Sequence, residues 1–200
     1  MNTKDEKRII FKSVGKRCHK IKEILRPIAF DYQKLCVAPQ GGKSARFIVV
    51  AKDHTSPQAG RYDEMRFRTI YTKDISVNAM YHEIWDKIDD KSYYLDRAYL
   101  HFYIIDKTLP EPAEKEFCLL HCDPNEPDDA AHAKYKQSLH LHIECSDASW
   151  PHCDVWPRAH IALNNGYLGH VLKDINSLTN AMKEAILMLK EEVLDRLPSQ

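Results

Sequence analysis

The residues best suited to chemistry lie in the histidine-rich stretch His101 to His170, above all in the run Leu139-His140-Leu141-His142-Ile143-Glu144. Apolar and ionisable side chains alternate there. On a β-strand that alternation puts His140, His142 and Glu144 on one face and Leu139, Leu141 and Ile143 on the other. A core strand has no need of two imidazoles and a carboxylate in a row, whereas a binding or catalytic site does.

Two chemistries suit this set. Imidazole with carboxylate binds zinc, manganese, iron or nickel, so His121, His142 and Glu144 form a ligand set for a divalent ion, zinc or manganese first. Glu144 can instead stay outside the ligand shell and act as a base. The second chemistry needs no metal. One histidine takes a proton from a nucleophile and another returns one to a leaving oxygen. His140, His142, Glu144 and His160 are the catalytic candidates. Arg158, Lys134 or Lys136 would neutralise a phosphoryl group. Trp150 and Trp156 flank Pro151-His152-Cys153-Asp154, and their rings either stack a base or sugar or cover the core. Against these readings, single histidines beside aromatics usually pack or hydrogen-bond, and that reading applies to His101, His121 and His170.

Strands must position these residues. Segments 97–105, 116–122, 139–145 and 159–163 read as strands. The short gap between 105 and 116 has no room for a helical crossover, so the pairing is antiparallel. On such strands His101 shares a face with Tyr103, and His121 with Leu119 and Phe117. Cross-strand neighbours lie about 5 Å apart, within reach of shared ligation or proton transfer.

Upstream, Ile10, Val14, Cys18, Ile21 and Leu25 make a helical stripe over 4–26 that Pro27 ends. Arg8, Lys12, Lys16 and Lys20 form a basic stripe on the opposite side, a solvated face or a contact for phosphate or an acidic partner. Strands follow at 30–38, 45–50 and 65–71. Asp74 caps a helix running to about residue 89, with Met80, Ile84, Trp85 and Ile88 facing inward. A closing helix spans 174–197. The fold class is α+β, an antiparallel sheet packed against N-terminal, middle and C-terminal helices. The domain reading is one α+β domain over 1–200, with a helical and strand part at 1–92 and a histidine-rich sheet part at 93–200.

Composition narrows the classes. The 29 basic and 29 acidic side chains balance, so global charge gives no argument for nucleic acid. No apolar run approaches the roughly 20 residues that cross a bilayer, and no signal-peptide core follows the charged start. A cytoplasmic protein with its six cysteines reduced is the simplest reading. No CxxC occurs. A zinc site from Cys118, Cys122, Cys145 and His152 would need separate elements to converge. Gly41-Gly42-Lys43-Ser44 lacks the spacing of a phosphate-binding loop.

The His140-Leu141-His142-Ile143-Glu144 run resembles the His-x-His-x-His motif of the histidine-triad nucleotide hydrolases, with Glu144 in the third position. His160, Asn164 or Asn165, and His170 resemble the HNH nucleases. Arg61-Tyr62-Asp63, with later histidines in strands, is similar to small bacterial proteins of toxin or defence type. None of these covers enough of the chain to name a family. The reading is a hydrolase or nuclease-like enzyme acting on a phosphodiester or nucleotide. The alternatives are a non-catalytic regulatory or binding protein with a nucleic-acid or protein partner, and another metal-dependent enzyme.

Overall fold

The computed structural model describes residues 9–39, 46–51, 67–124, 138–144, 158–163 and 172–197. In chain order the elements are β1 (Ile10–Phe11), α1 (Val14–Leu25), β2 (Leu35–Pro39), β3 (Arg46–Ala51), β4 (Phe67–Tyr71), β5 (Ile75–Lys87), β6 (Tyr93–Asp106), β7 (Glu114–Cys122), β8 (Leu139–Glu144), β9 (Arg158–Ala162) and α2 (Ile175–Glu192). Single 3-10 turns precede β2 and follow α2.

The strands form one antiparallel sheet in the order β2-β3-β5-β6-β7-β8-β9, with β1 added beside β6 and β4 beside β5. Alternation divides it into two faces. Val77, Ala79 and Tyr81 of β5, Leu100 and Phe102 of β6, Cys118 and Leu120 of β7, and Leu139 and Leu141 of β8 join the helices in one apolar core. α1 contributes Val14, Cys18, Ile21 and Leu25, and α2 contributes Leu178, Met182, Ala185 and Leu189. Each fully buried aliphatic side chain of this kind stabilises the fold by about 1.5–3 kcal/mol.

Both helices start where the sequence provides a cap. The Ser13 hydroxyl accepts from the Lys16 N–H at 3.3 Å. Asp174 accepts from the Asn176 and Ser177 N–H groups, and Ser177 reciprocates to the Asp174 N–H at 2.9 Å. Such caps satisfy donors that the first helical turn leaves open.

Two expectations need correction. The first helix begins at Val14, after its Ser13 cap. Ile10 belongs to β1, is half exposed, and plays no part in the helical stripe. The middle helix does not exist, because 75–87 is a continuous strand. Met80, Ile84, Trp85 and Ile88 mimic helical spacing, but Val77, Ala79, Tyr81 and Glu83 alternate onto the helix-facing side. Met80 and Ile84 are buried on the other side, so the contrast that marks a half-buried strand is lost. A register shift between Ile84 and Trp85 breaks the remaining period. The α+β class stands, with the sheet packed on the N- and C-terminal helices.

A buried ion pair fastens α1 to this sheet. Arg17 donates to Glu83 from Nη2 at 2.7 Å and from Nε at 3.0 Å, and both side chains are essentially without solvent contact. Trp85 Nε1 and the Tyr81 hydroxyl also donate to Glu83, while Arg17 Nη1 reaches the Thr179 hydroxyl of α2 at 2.7 Å. The carboxylate thus accepts from four groups, the arrangement a buried charge requires.

Candidate metal centre

The side of the sheet away from the helices carries the histidines. Register sets the cluster: His121 of β7 is directly opposite His140 of β8, and His142 is directly opposite Leu119. His121 therefore has one imidazole beside it and a second one diagonal to it. Tyr99 and His101 of β6 are opposite His121 and Leu119. His82 of β5 is opposite Tyr99.

One nitrogen from each of His121, His140 and His142 lies within 4.8 Å of the other two. Ring centroids are 4.4 Å apart for His121 and His142, 4.7 Å for His140 and His142, and 5.5 Å for His121 and His140. His140 is fully buried and His142 nearly so. These three side chains can hold a metal ion: their ligand atoms cluster on the scale that imidazole–zinc bonds of about 2.0–2.1 Å require.

His121 is oriented from two directions. Tyr99 stacks on its face, with ring centroids 3.9 Å apart and planes at 18°. Tyr99 is itself anchored, since its hydroxyl donates to Asp123 at 2.8 Å. At the edge of the His121 ring, Nε2 lies 2.9 Å from Nε2 of His101. His101 in turn places Nδ1 2.9 Å from a Glu116 carboxylate oxygen and 3.4 Å from the Tyr103 hydroxyl.

Burial pushes the His121 imidazole far below the ordinary histidine range, and the neighbouring imidazoles of His142, His101, His140 and His82 push the same way. The ring is neutral at physiological pH, the form in which a histidine offers a lone pair to a metal. Burial pushes the Tyr99 hydroxyl up, and the adjacent Asp123 adds to this. Tyr99 is therefore a neutral donor.

The structure brings together His121, His140 and His142, and sets His101 beside them. Of the expected metal set His121, His142 and Glu144, it supplies both histidines and adds His140. Glu144 pairs with Arg158 and His142 with His160 in the β8–β9 ladder. The side chains of Glu144, Arg158 and His160 lie outside the described residues, as do Trp150, Trp156, Lys134, Lys136, Cys145, His152 and His170. Cys118 and Cys122 point into the core beneath the helices, on the opposite side of β7 from the His121, His140 and His142 cluster.

Sequence reasoning missed Glu116, Asp123, His82 and Tyr99. Strict alternation from His121 places Phe117 on the histidine side and Glu116 on the core side. A register shift between Phe102 and Tyr103 exchanges them. Phe117 packs against the core and Phe102, while Glu116 emerges opposite Tyr103 beside His101. Tyr99 was legible, because it shares the period-2 row of His101 and Tyr103. No protein-family model matches the sequence, and no curated protein or solved structure matches the chain.

Proposed function

We propose that the protein is a metal-dependent hydrolase acting on a phosphodiester or nucleotide, with zinc or manganese held by His121, His140 and His142. One observation carries the reading: three imidazoles from two adjacent strands, His140 and His142 buried and His121 half-buried, place one nitrogen each within 4.8 Å of one another. An all-imidazole set favours zinc, and three protein ligands with an open position is the pattern of catalytic rather than structural zinc. A divalent ion there supplies Lewis acidity and activates water near neutral pH. The chain's own groups orient the ligands: Tyr99 holds the plane of His121, and His101 holds its edge. His160 and Arg158, opposite His142 and Glu144 on β9, are assigned to proton transfer and to phosphate binding, and Glu144 to a base. Lys136, Trp150 and Trp156 are assigned to substrate contact.

A second reading, a non-catalytic regulatory or binding protein, draws on two observations. His140 and His142 are buried, as in a closed structural site. Lys12, Lys16 and Lys20 are exposed at and along α1, and they suit an anionic nucleic-acid or protein partner. No helix among the described residues is long and apolar enough to cross a membrane. A cytoplasmic location with reduced cysteines belongs to this reading.

Elemental mass spectrometry of the untagged chain, purified without chelator, tests the metal. Near-stoichiometric zinc or manganese that is lost in His142→Ala is the expected result. Hydrolysis of bis(p-nitrophenyl) phosphate by the loaded chain, absent in His142→Ala, then separates the hydrolase from the binding protein. A chain that takes up neither ion at micromolar concentration would remove the metal reading altogether.

A further inference from the structure

The three-residue line Glu116–His101–His121 specifies where protons sit. An ionised carboxylate accepts hydrogen bonds and cannot donate. The Glu116 oxygen 2.9 Å from His101 Nδ1 therefore holds a proton on that nitrogen. For a neutral His101 ring the other nitrogen is then an acceptor, whereas an imidazolium would donate from both nitrogens. That nitrogen, Nε2, faces Nε2 of His121 at 2.9 Å. Two lone pairs at this distance would repel, so the proton between the rings belongs to His121. Its Nε2 donates, and its lone pair is on Nδ1.

We propose that the Glu116–His101 pair fixes His121 as its Nε2–H tautomer, so that His121 presents Nδ1 to the ion bound with His140 and His142. Glu116 and His101 are positioning residues that touch the ion only through His121. The arrangement extends the carboxylate–histidine–metal pattern by one imidazole. Its carboxylate stands at the outer end of the relay, on the same strand, β7, as His121. The part concerning the ion rests on the metal reading above, whereas the tautomer is a property of the metal-free chain.

Long-range 1H–15N correlation spectra of the 15N-labelled, chelator-treated full chain read each imidazole's tautomer directly. The expected result is a proton on Nδ1 of His101 and on Nε2 of His121. His101 carrying its proton on Nε2 would overturn the inference, whatever the variants do. Zinc titration of the same samples supplies the second readout. Glu116→Ala lets His101 move to its Nε2–H form and weakens zinc binding about 10–100-fold, the usual effect of losing an outer-shell partner. Glu116→Gln keeps an acceptor oxygen, so it restores the tautomer and most of the affinity. Glu116→Ala with wild-type tautomers and affinity would also refute the assignment. The expected tautomers in a chain that binds no zinc would remove the metal reading and leave the relay intact. If Glu116→Ala does not fold, the wild-type spectrum alone decides.

Discussion

Tyr99 lies flat on His121, with ring centroids 3.9 Å apart, while its hydroxyl is held by Asp123 at 2.8 Å. The stack and the hydroxyl bond are separable. Tyr99→Phe keeps the ring and removes only the bond, so zinc affinity stays within about 2-fold while stability falls by about 1 kcal/mol. Tyr99→Leu removes the stack, worth about 0.5–1.5 kcal/mol, and weakens zinc binding several-fold. Paired zinc titrations and urea melts check both statements. Equal zinc affinities in the two variants would mean that the stack does not orient the ligand.

The Arg17–Glu83 pair has a sharper signature. Arg17→Met leaves the Glu83 carboxylate buried with only neutral donors, at a cost of about 3–5 kcal/mol. Adding Glu83→Gln removes the orphaned charge and recovers a large part of that loss. Urea midpoints of the single and double variants form the cycle. Simple additivity would show that the two side chains do not act as a pair.

Asp86 gives the fold an acid-side dependence. Burial raises its pKa, but hydrogen bonds from Arg46 at 2.7 and 3.1 Å and from Tyr94 at 3.0 Å, with the Arg46 and Arg97 charges, outweigh this. The net shift is downward. A depressed folded pKa contributes stability that is fully present above the unfolded value, roughly 3.9, and is lost as pH falls through the folded value. Asp86→Asn is thus less stable than wild type at pH 7, by about 1 kcal/mol at this partly exposed site. The gap narrows as pH falls from the unfolded value, roughly 3.9, through the lower folded one. Denaturation midpoints taken stepwise from pH 7 into acid measure it, and a gap that does not narrow below about pH 4 would contradict the assignment.

The core thiols are expected to be inert. Burial pushes the Cys118 thiol up to about 12 and the Cys122 thiol well above its ordinary value. It pushes Cys18 up to about 11, against a partial pull down from Lys22. The reactive thiolate is then scarce at pH 8. Mass spectrometry after iodoacetamide treatment should find all three unmodified in the folded chain and alkylated in urea. Rapid labelling of native Cys118 or Cys122 would place them outside the core.

The histidine side of β8 was legible because its two sides differ: Leu139 and Leu141 enter the core, and the intervening imidazoles do not. The same logic failed on β5, where Met80 and Ile84 are buried on the side opposite Val77, Ala79 and Tyr81. Period-2 contrast vanishes when both faces are covered. Glu116 was hidden by a single irregularity, since the shift beside Phe102 inverts the faces of everything beyond it on β7. Arg17 and Glu83 were hidden by distance along the chain, because neither looks like a core residue until the other is beside it.

β7 lies between β6 and β8, several strands from the sheet end at β2. A backbone paired on both flanks opens only when ladders on both sides break, so its amides exchange with solvent through the largest unfolding events. His121 inherits that clock. The backbone that carries this ligand is thus among the last parts of the sheet to open.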